Sequence, residues 1–427
     1  MVINDDMRGG SPSTLRRIHR GLALREMLIA GDVSRTSLAD RLGLSQMAAT
    51  RIVRELIEAG LIEEAGLTIR DTGPGRHRTR LRIRDDGVYA AGITFSAYST
   101  EVAIVGASGS LLAHKMVHLD QYGDGTKALN TLASALNELI DKHAIPRQRI
   151  IGAGVVLSAN LDPARQRVVN ANYLGLEPFE VVEPIAQMTG LSVTAENIVN
   201  ALTLAETSVG IAKKLENVIV VRSATVIGAT ILQHGRIIRG QENRAGRIGH
   251  LRHHTTKMTC SCGRMDCLNC TASGWSVLVR QGIAKGEVYN PKHVQRYAGA
   301  IDQIVDGNKG AAGRAPVLVA NLRAAGSALG DVLQSLKQTI DPDAILLAGS
   351  MARIPEYIEG INRRLSKLGS DGEATIGKIR IGEIRAVRAA AILALLEKVY
   401  SPALDLNALN DNRLAKSNKS ATDRKSS

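Results

Sequence analysis

The chain has 427 residues, of which 44% are hydrophobic, and this length exceeds what a single hydrophobic core normally supports. Its net charge of +13 favours a polyanionic partner, and its four cysteines are too few for a disulfide framework. No run of eighteen apolar residues occurs, and the first residues are acidic and polar, so neither a membrane span nor a signal peptide is predicted. We expect a cytoplasmic protein of two or three domains without a membrane partner.

Three short helices are predicted between residues 15 and 62. Apolar residues recur there at helical spacing in three groups, separated by polar, turn-forming segments. Thr36 or Ser37 is placed to cap the second helix, Gly43 to end it and Ser45 to cap the third. Two helices joined by a tight turn form the helix-turn-helix pattern, whose second helix enters the major groove of DNA. A three-helix bundle that binds protein or nothing is the alternative.

The third predicted helix carries the residues that we expect to read base edges. Its inner face is predicted to consist of Ile52, Val53, Leu56 and Ile57. The side chains predicted to face outward from its first two turns are Gln46, Met47, Ala49, Thr50 and Arg51.

A basic hairpin is predicted directly behind the third helix. Two short strands flank a Gly-Pro-Gly loop at residues 73–75, and alternation in the second strand places Leu81 and Ile83 inward and its arginines outward. A charge run alone is usually a solvated face, but hairpin arginines can also enter a narrow minor groove while their neighbours hold phosphates. We therefore predict a winged helix over residues 14–86 that contacts double-stranded DNA through Ser45, Gln46, Met47, Thr50, Arg51, Arg76, Arg78 and Arg80.

Beyond residue 87 the pattern changes to strands that alternate with helices, which indicates α/β architecture. A β-rich beginning at residues 88–161 is followed by a second one at residues 218–238. This repetition predicts a duplicated domain with two lobes and a cleft between them. Residues 401–427 are predicted to be a mostly disordered tail, because its last residues, KSNKSATDRKSS at 416–427, are polar and basic without an apolar period and are expected to be solubilising.

Three cysteines lie within eight positions of one another, ten residues after His250: Cys260, Cys262 and Cys267. One histidine and three cysteines at this spacing can surround a single Zn²⁺ ion as four tetrahedral ligands. No coordination position then stays open, so the ion would be structural. A free-thiol cluster and a redox pair are the alternatives. His253 or His254 could replace His250, and Cys270, outside the pattern, is expected to be a buried or spare thiol.

These features together resemble the ROK family of bacterial sugar kinases and sugar-responsive repressors. The resemblance is carried by His250 with CSCGRMDC at residues 260–267, by ILLAGSM at residues 345–351 and by the winged helix in front. It covers the chain from about Leu15 to about Tyr400. It implies a two-lobed fold of the actin and hexokinase type over residues 88–400, a DNA-binding domain found only in the repressors, and structural zinc on His250, Cys260, Cys262 and Cys267.

The segments that carry catalysis in ROK kinases are altered here. Where the kinases open with Asp-x-Gly-Gly-Thr, this chain has Thr94, Ser96, Ala97 and Tyr98. In the catalytic Glu-Asn-Asp-x-Asn segment, Ile198 takes the place of the aspartate, which removes the general base. The second phosphate loop, residues 223–229, keeps one glycine. We therefore predict that the protein is not an enzyme.

The resemblance also implies an effector site in the cleft. Its predicted residues are Asn172, Asn197, Arg247 and His250. Because Arg247 stands where the family has a sugar-binding glutamate, we hypothesise a ligand whose carboxylate or phosphate Arg247 grips. The alternative is that Arg247 is a surface residue and the cleft binds nothing.

The resulting prediction is a transcriptional regulator, a repressor of genes for sugars or carbohydrate derivatives, that binds an operator as a homodimer or homotetramer. Two alternatives are a ROK sugar kinase and a regulator that a partner protein, rather than a small molecule, removes from DNA. The expected cofactor is Zn²⁺ and the expected effector is a sugar or an acidic sugar derivative.

Overall fold

The computed structural model describes residues 12–67, 79–119, 123–285, 288–307, 315–368, 379–402, 404–406 and 409. Within these residues, an N-terminal winged helix precedes two lobes, each built on a five-stranded sheet. No helix in this part of the chain is long and apolar enough to cross a membrane.

The winged helix consists of three helices and one hairpin. They are α1 (Pro12–Ala30), α2 (Arg35–Leu42), α3 (Gln46–Glu58), β1 (Ile62–Leu67) and β2 (Thr79–Ile83). Ser45 caps α3 by accepting a hydrogen bond from the Ala48 amide at 3.2 Å, and Gly43 ends α2 in the left-handed region with φ 64°, as predicted. The predicted cap of α2 was wrong. Ser34 caps this helix, because its hydroxyl lies one residue before the first turn and reaches the Ser37 amide at 3.1 Å.

One face of α3 forms the core of the winged helix. Its buried residues are Ala49, Ile52, Val53 and Leu56, while Ile57 is half-buried. The prediction that Ala49 faces outward was therefore wrong, because Ala49 lies three and four residues before Ile52 and Val53 and shares their stripe. Leu81 of β2 is fully buried beneath the hairpin, as the alternation predicted.

The first lobe contains a sheet with the strand order β10-β6-β3-β4-β5. Strands β3, β4 and β5 pair antiparallel, and β6 and β10 continue the sheet in parallel. A small antiparallel sheet of β7, β8 and β9 lies beside it. The elements in chain order are β3 (Tyr89–Phe95), β4 (Thr100–Gly106), β5 (Leu111–Met116), α4 (Gly125–Lys142), β6 (Ile150–Leu157), β7 (Asn160–Leu161), β8 (Arg167–Asn170), β9 (Phe179–Glu180), α5 (Val182–Thr189), β10 (Val193–Asn197) and α6 (Ile198–Ser208).

The second lobe repeats this topology in the order β13-β12-β11-β14-β15. Three antiparallel strands are again followed by two parallel ones, which confirms the predicted duplication. The elements in chain order are β11 (Val218–Ser223), β12 (Ile227–Gln233), β13 (Arg236–Ile237), α7 (Asn269–Ala272), α8 (Gly274–Arg280), α9 (Val294–Asp306), α10 (Pro316–Ile340), β14 (Ala344–Ala348), α11 (Pro355–Leu368), β15 (Arg380–Ile381) and α12 (Ala386–Lys398).

Helix α12 returns from the second lobe to pack on the sheet of the first. Glycine makes this close approach possible, because a Cβ at Gly154 would overlap the Ala390 carbonyl and a Cβ at Gly92 would overlap the Val387 carbonyl. Helices α6 and α12 also share buried contacts with β11 and β14 of the second lobe. These two helices therefore connect the lobes at the base of the cleft.

The winged helix shares its hydrophobic core with the first lobe. Leu24 and Met27 of α1 belong to the same buried cluster as Leu395 of α12, Tyr400 and Leu404. The Tyr400 hydroxyl also donates a hydrogen bond to the Ala107 carbonyl of the first lobe. The domain boundaries 14–86 and 88–400 remain predictions. The structure shows that the first described residues after 400 pack against the winged helix.

Candidate functional site

A polar cavity of about 170 Å³ lies between the lobes, where β10 ends and α6 begins. Both lobes and the small sheet line it, and it contains no aspartate or glutamate among the described residues. Its amide and guanidinium side chains are Asn160, Asn170, Asn172, Asn197, Asn200, Asn243, Arg222 and Arg247. The cavity therefore offers hydrogen-bonding groups for hydroxyls together with positive charge.

The structure brings the four predicted effector residues to this one cavity. The side chain of Asn197 is already used, since it caps α6 through the Val199 amide at 2.9 Å and donates to the Ala159 carbonyl at 3.0 Å. Arg247 is exposed and forms no ion pair with a described residue. Asn172, Arg247 and His250 are thus the predicted residues with groups left to meet a ligand.

Arg222 is a cavity residue that the sequence reasoning missed. It lies on β11 and is only 9% exposed, with Gly228 of β12 and Ala348 of β14 as its neighbours in the sheet. Its guanidinium stands over the Tyr98 ring at 5.6 Å and has neither a hydrogen bond nor an ion pair with the part of the chain that is described. The available signal was an arginine within the otherwise buried strand sequence VIVVRS.

A buried glutamate orders the floor of the cavity. Glu196 is 0% exposed, and its Oε1 accepts hydrogen bonds from the Asn197 amide at 2.7 Å and from Asn200 Nδ2 at 2.9 Å. Its Oε2 accepts from Arg239 Nη2 at 2.6 Å and lies 3.5 Å from Arg165 Nη1. Glu196 therefore positions the asparagines and does not itself meet a ligand.

The same ion pairs continue toward the winged helix. Arg165 Nη1 donates to Glu397 Oε1 of α12 at 2.9 Å, and Thr194 donates to the other oxygen of Glu397 at 2.8 Å. Arg165, Arg239 and Glu397 line a second cavity, of about 450 Å³, whose remaining wall includes Arg25 of α1. Direct contacts thus run from the asparagines of the first cavity through Glu196 and Arg165 to Glu397 of α12, the helix whose Leu395 shares a buried cluster with α1.

The altered kinase segments adopt a geometry that leaves little room for phosphate. The Ser96 hydroxyl accepts hydrogen bonds from the amides of Tyr98 at 3.2 Å and Ser99 at 3.0 Å, so these two amides are not free to bind an anion. The Tyr98 hydroxyl accepts a hydrogen bond from the Thr225 hydroxyl at 2.8 Å. The bulky Tyr98 ring therefore bridges the two segments that bind phosphate in the kinases. Burial raises the pKa of Tyr98. Ile198 is 2% exposed and has no group that could accept a proton.

The four predicted metal ligands form one cluster. The ligand atoms of His250, Cys260, Cys262 and Cys267 all lie within 4.8 Å of one another. His250 Nδ1 is 3.5 Å from the Cys260 sulfur and 3.9 Å from the Cys267 sulfur, and the sulfurs of Cys262 and Cys267 are 3.4 Å apart. Tetrahedral zinc with Zn–S bonds of about 2.3 Å separates its ligands by about 3.7 Å. The spacing and the donor atoms therefore fit a zinc ion with four protein ligands.

Hydrogen bonds connect this cluster to the cavity. Asn269 Oδ1 accepts from the Ile227 amide at 2.9 Å, while its Nδ2 lies 3.9 Å from the Cys260 sulfur. Gly249 packs so tightly against Ile227 and Asn269 that a Cβ there would overlap both. Because His250 lines the cavity while its Nδ1 lies near the Cys260 thiol, the segment that carries the four clustered residues forms one wall of the cavity.

The remaining thiol and histidines lie outside the cluster. Cys270 is fully buried, as expected for a spare thiol, and its thiol donates to the Met258 carbonyl at 3.5 Å. His253 faces away from the cluster, 3.1 Å from the Thr271 hydroxyl and 3.6 Å from Asp331. This placement favours His250 as the fourth ligand.

The side of α3 that is predicted to face DNA is open to solvent. Gln46, Thr50 and Arg51 are exposed, and Met47 is 84% exposed although it is apolar. Arg51 Nε lies 3.3 Å from Glu55, a weak surface contact that DNA can replace. Ser45 is engaged as the helix cap.

The predicted arginines of the wing divide into two groups. Arg80 forms an ion pair with Asp32 within the winged helix, and Arg82 likewise pairs with Glu63 at 2.7 Å, so the charge of both is balanced inside the protein. Arg76 and Arg78 lie outside the described residues, and their contact with DNA remains a prediction.

The family model described as ROK family matches residues 90–395 of the chain. The chain belongs to the ROK family. A model described as winged helix-turn-helix DNA-binding matches residues 23–63 in front of the ROK domain. Over 279 residues the chain is 25% identical to the DNA-binding transcriptional dual regulator NagC of Escherichia coli (strain K12), covering 64% of this chain and 68% of that protein.

Kinases as well as regulators occur among the ROK relatives. The N-acetylmannosamine kinase of Escherichia coli O6:H1 is 24% identical over 269 residues, covering 62% of this chain and 84% of that enzyme. A ROK transcriptional regulator homologous to the E. coli MLC protein superposes with a TM-score of 0.67 at 19% identity, covering 93% of this chain and 100% of that chain. The structural match establishes the fold. The geometry of the site is needed to distinguish a kinase from a regulator.

Proposed function

We propose that this ROK protein is a sequence-specific DNA-binding regulator that represses genes for sugars or carbohydrate derivatives and responds to an effector in its interlobe cavity. The observation that carries this proposal is the winged helix, with a capped and solvent-open α3, packed directly on a ROK domain. The relatives named as an N-acetylglucosamine repressor, a xylose repressor and the repressor Mlc support it.

DNA recognition is assigned to α3 and to the wing. The N-terminal turns of α3 would place Gln46, Met47, Thr50 and Arg51 against base edges in the major groove. Arginines of the wing would contact phosphates or enter the minor groove. A symmetric homodimer or a dimer of dimers would present two such helices to a pseudo-palindromic operator.

Effector binding is assigned to Asn172, Arg247 and His250, while Asn197 forms part of the cavity wall and caps α6. A ligand that prefers one arrangement of the lobes shifts the population toward that arrangement. The contacts from Glu196 through Arg165 to Glu397 supply a physical route by which this shift reaches the winged helix.

His250, Cys260, Cys262 and Cys267 would hold Zn²⁺ as a structural ion. Four protein ligands leave no open position, so the ion would stabilise the loop and would not activate a substrate. The loop in turn presents the His250 ring to the cavity. Loss of zinc is therefore expected to weaken both effector binding and repression.

Substitution of Arg51 by alanine is expected to cause a loss of sequence discrimination at the base pair that Arg51 contacts in each half-site. Selection of bound duplexes from a random pool should yield a pseudo-palindromic operator with the wild-type protein and a consensus that is lost at the contacted position of each half-site with Arg51→Ala, because a bidentate base contact is worth about 1–3 kcal/mol. The matched control is Arg363→Ala on α11, whose side chain is 65% exposed and far from the winged helix. The assignment of α3 fails if Arg51→Ala selects the wild-type operator with equal enrichment.

Phosphoryl transfer is expected to be absent. A coupled assay of ATP consumption over a panel of hexoses, pentoses and amino sugars should show no turnover above background. Restoring the carboxylate with Ile198→Asp should not create activity, because Ser96 still occupies the amides of Tyr98 and Ser99. Sugar-dependent ATP consumption by the wild type would refute this prediction and favour the alternative of a sugar kinase.

A further inference from the structure

Arg222 is a buried cation without a described counter-ion. Nine-tenths of its surface is covered, yet it lines the effector cavity, where there is no carboxylate among the described lining residues. Its one described partner is the ring face of Tyr98 at 5.6 Å. The face of an aromatic ring stabilises a buried guanidinium less than a carboxylate would. The free-energy cost of removing the Arg222 charge from water is therefore only partly offset by the described residues.

The surroundings of Arg222 favour an anionic ligand over a structural role. Ser158 also lines the cavity, and its hydroxyl is buried without a hydrogen-bond partner. Gly349 approaches the Arg222 side chain with φ 92°, a conformation that keeps this position small. The cavity therefore holds a planar cation and an unused hydroxyl at a site where the protein leaves space.

We propose that the effector carries a carboxylate or a phosphate and that this anionic group binds Arg222 inside the cavity. This inference rests on the proposed function, since it names the ligand class of the same effector site. A guanidinium presents its N–H donors in a fixed plane that matches two oxygens of either anion. The asparagines then face the hydroxyls of the sugar body, and the exposed Arg247 stands at the rim.

This proposal moves the main anion contact from Arg247 to Arg222. An exposed arginine is screened by salt and water, whereas a guanidinium in a covered cavity gains more from an ion pair. The ligand is thus a sugar acid or a sugar phosphate, and neutral sugars are expected to bind poorly.

Calorimetry on the full-length protein tests the proposal with 6-phosphates and uronates of glucose, galactose, mannose and N-acetylglucosamine, and with the neutral sugars as reference. At least one anionic sugar should bind ten times more tightly than its neutral parent or better. Arg222→Met should reduce that affinity by about tenfold or more, because a charge-assisted contact is lost. Arg222→Lys should retain part of the affinity, and Arg363→Met should stay within twofold of the wild type. The series that binds more tightly, sugar 6-phosphates or uronates, identifies the anionic group of the ligand as phosphate or carboxylate.

Thermal denaturation of the same variants provides a readout that is independent of the ligand. If Arg222 serves a ligand, Arg222→Met should melt at the wild-type temperature or above it, because an uncompensated buried charge is removed. Equal affinity of Arg222→Met for the anionic sugar, absence of any anionic binder, or a clear loss of stability in Arg222→Met would each overturn the proposal. Selection of duplexes by ligand-free Arg222→Met, expected to match the wild type, reports separately on the regulator function.

Discussion

Replacing Cys260 with serine is expected to remove about one zinc ion per chain and to lower the melting temperature by roughly 5–10 °C. Cys260 is 3% exposed and its sulfur lies 3.5 Å from His250 Nδ1, so it is placed to be one of the four ligands of the proposed zinc site. Structural zinc contributes directly to folding free energy, and a serine hydroxyl is a poor substitute for a thiolate. Metal content by mass spectrometry and thermal denaturation measure the two effects.

Cys270→Ser is the matched control for this substitution. Cys270 is also fully buried and neighbours Cys260, but its sulfur bonds the Met258 carbonyl at 3.5 Å and is not one of the four clustered ligands. The control should keep the full zinc content even if its stability falls slightly. Undiminished zinc in Cys260→Ser, or equal loss in both variants, would refute the assignment of the four ligands.

Replacing Glu196 with glutamine is expected to cost about 3 kcal/mol of unfolding free energy. The carboxylate is completely buried and meets two guanidinium groups and two N–H donors, so a neutral amide leaves Arg165 and Arg239 without their shared counter-ion. Denaturation with urea measures the change. The structural assignment of Glu196 is wrong if the variant unfolds at the wild-type midpoint.

Glu397→Gln provides the comparison at the other end of the same contacts. Glu397 is 33% exposed, so its ion pair with Arg165 is screened and the expected cost is below about 1 kcal/mol. Glu397 lies on α12, next to the winged helix, but it belongs neither to α3 nor to the lining of the effector cavity. This variant should therefore bind operator and effector normally. The effector should nevertheless release it from DNA less completely than it releases the wild type. A full response to effector in Glu397→Gln would exclude this route of coupling.

Local patterns predicted much of the fold and of the metal cluster. The cap at Ser45, the stop at Gly43 and the His-Cys spacing depend on residues close together in sequence, and the structure agrees with each. The duplication was visible because each lobe begins with the same strand and hairpin pattern. The prediction for Ala49 was wrong because this residue lies three positions before Ile52 and shares its buried stripe.

Contacts between distant segments were beyond the reach of sequence patterns. Glu196 pairs with Arg239 and Arg165, and Arg165 with Glu397, which is 232 residues away. No periodicity encodes such pairs, because they depend on how the lobes meet. Arg222 was missed for the same reason. A single arginine in an apolar strand points to a binding site only when the structure shows that no described carboxylate pairs with it.

The buried cluster that joins Met27 to Leu395 and Tyr400 has a mechanical consequence. A DNA-binding head on a free tether would reorient independently of the domain behind it, and an effector could then control only its local concentration. In this protein, the winged helix packs through apolar side chains on α12, the helix that contacts both lobes. In the proposed oligomer, a few degrees of lobe rotation would change the distance between the two α3 helices, and an effector would thereby control how well they match the two half-sites of an operator.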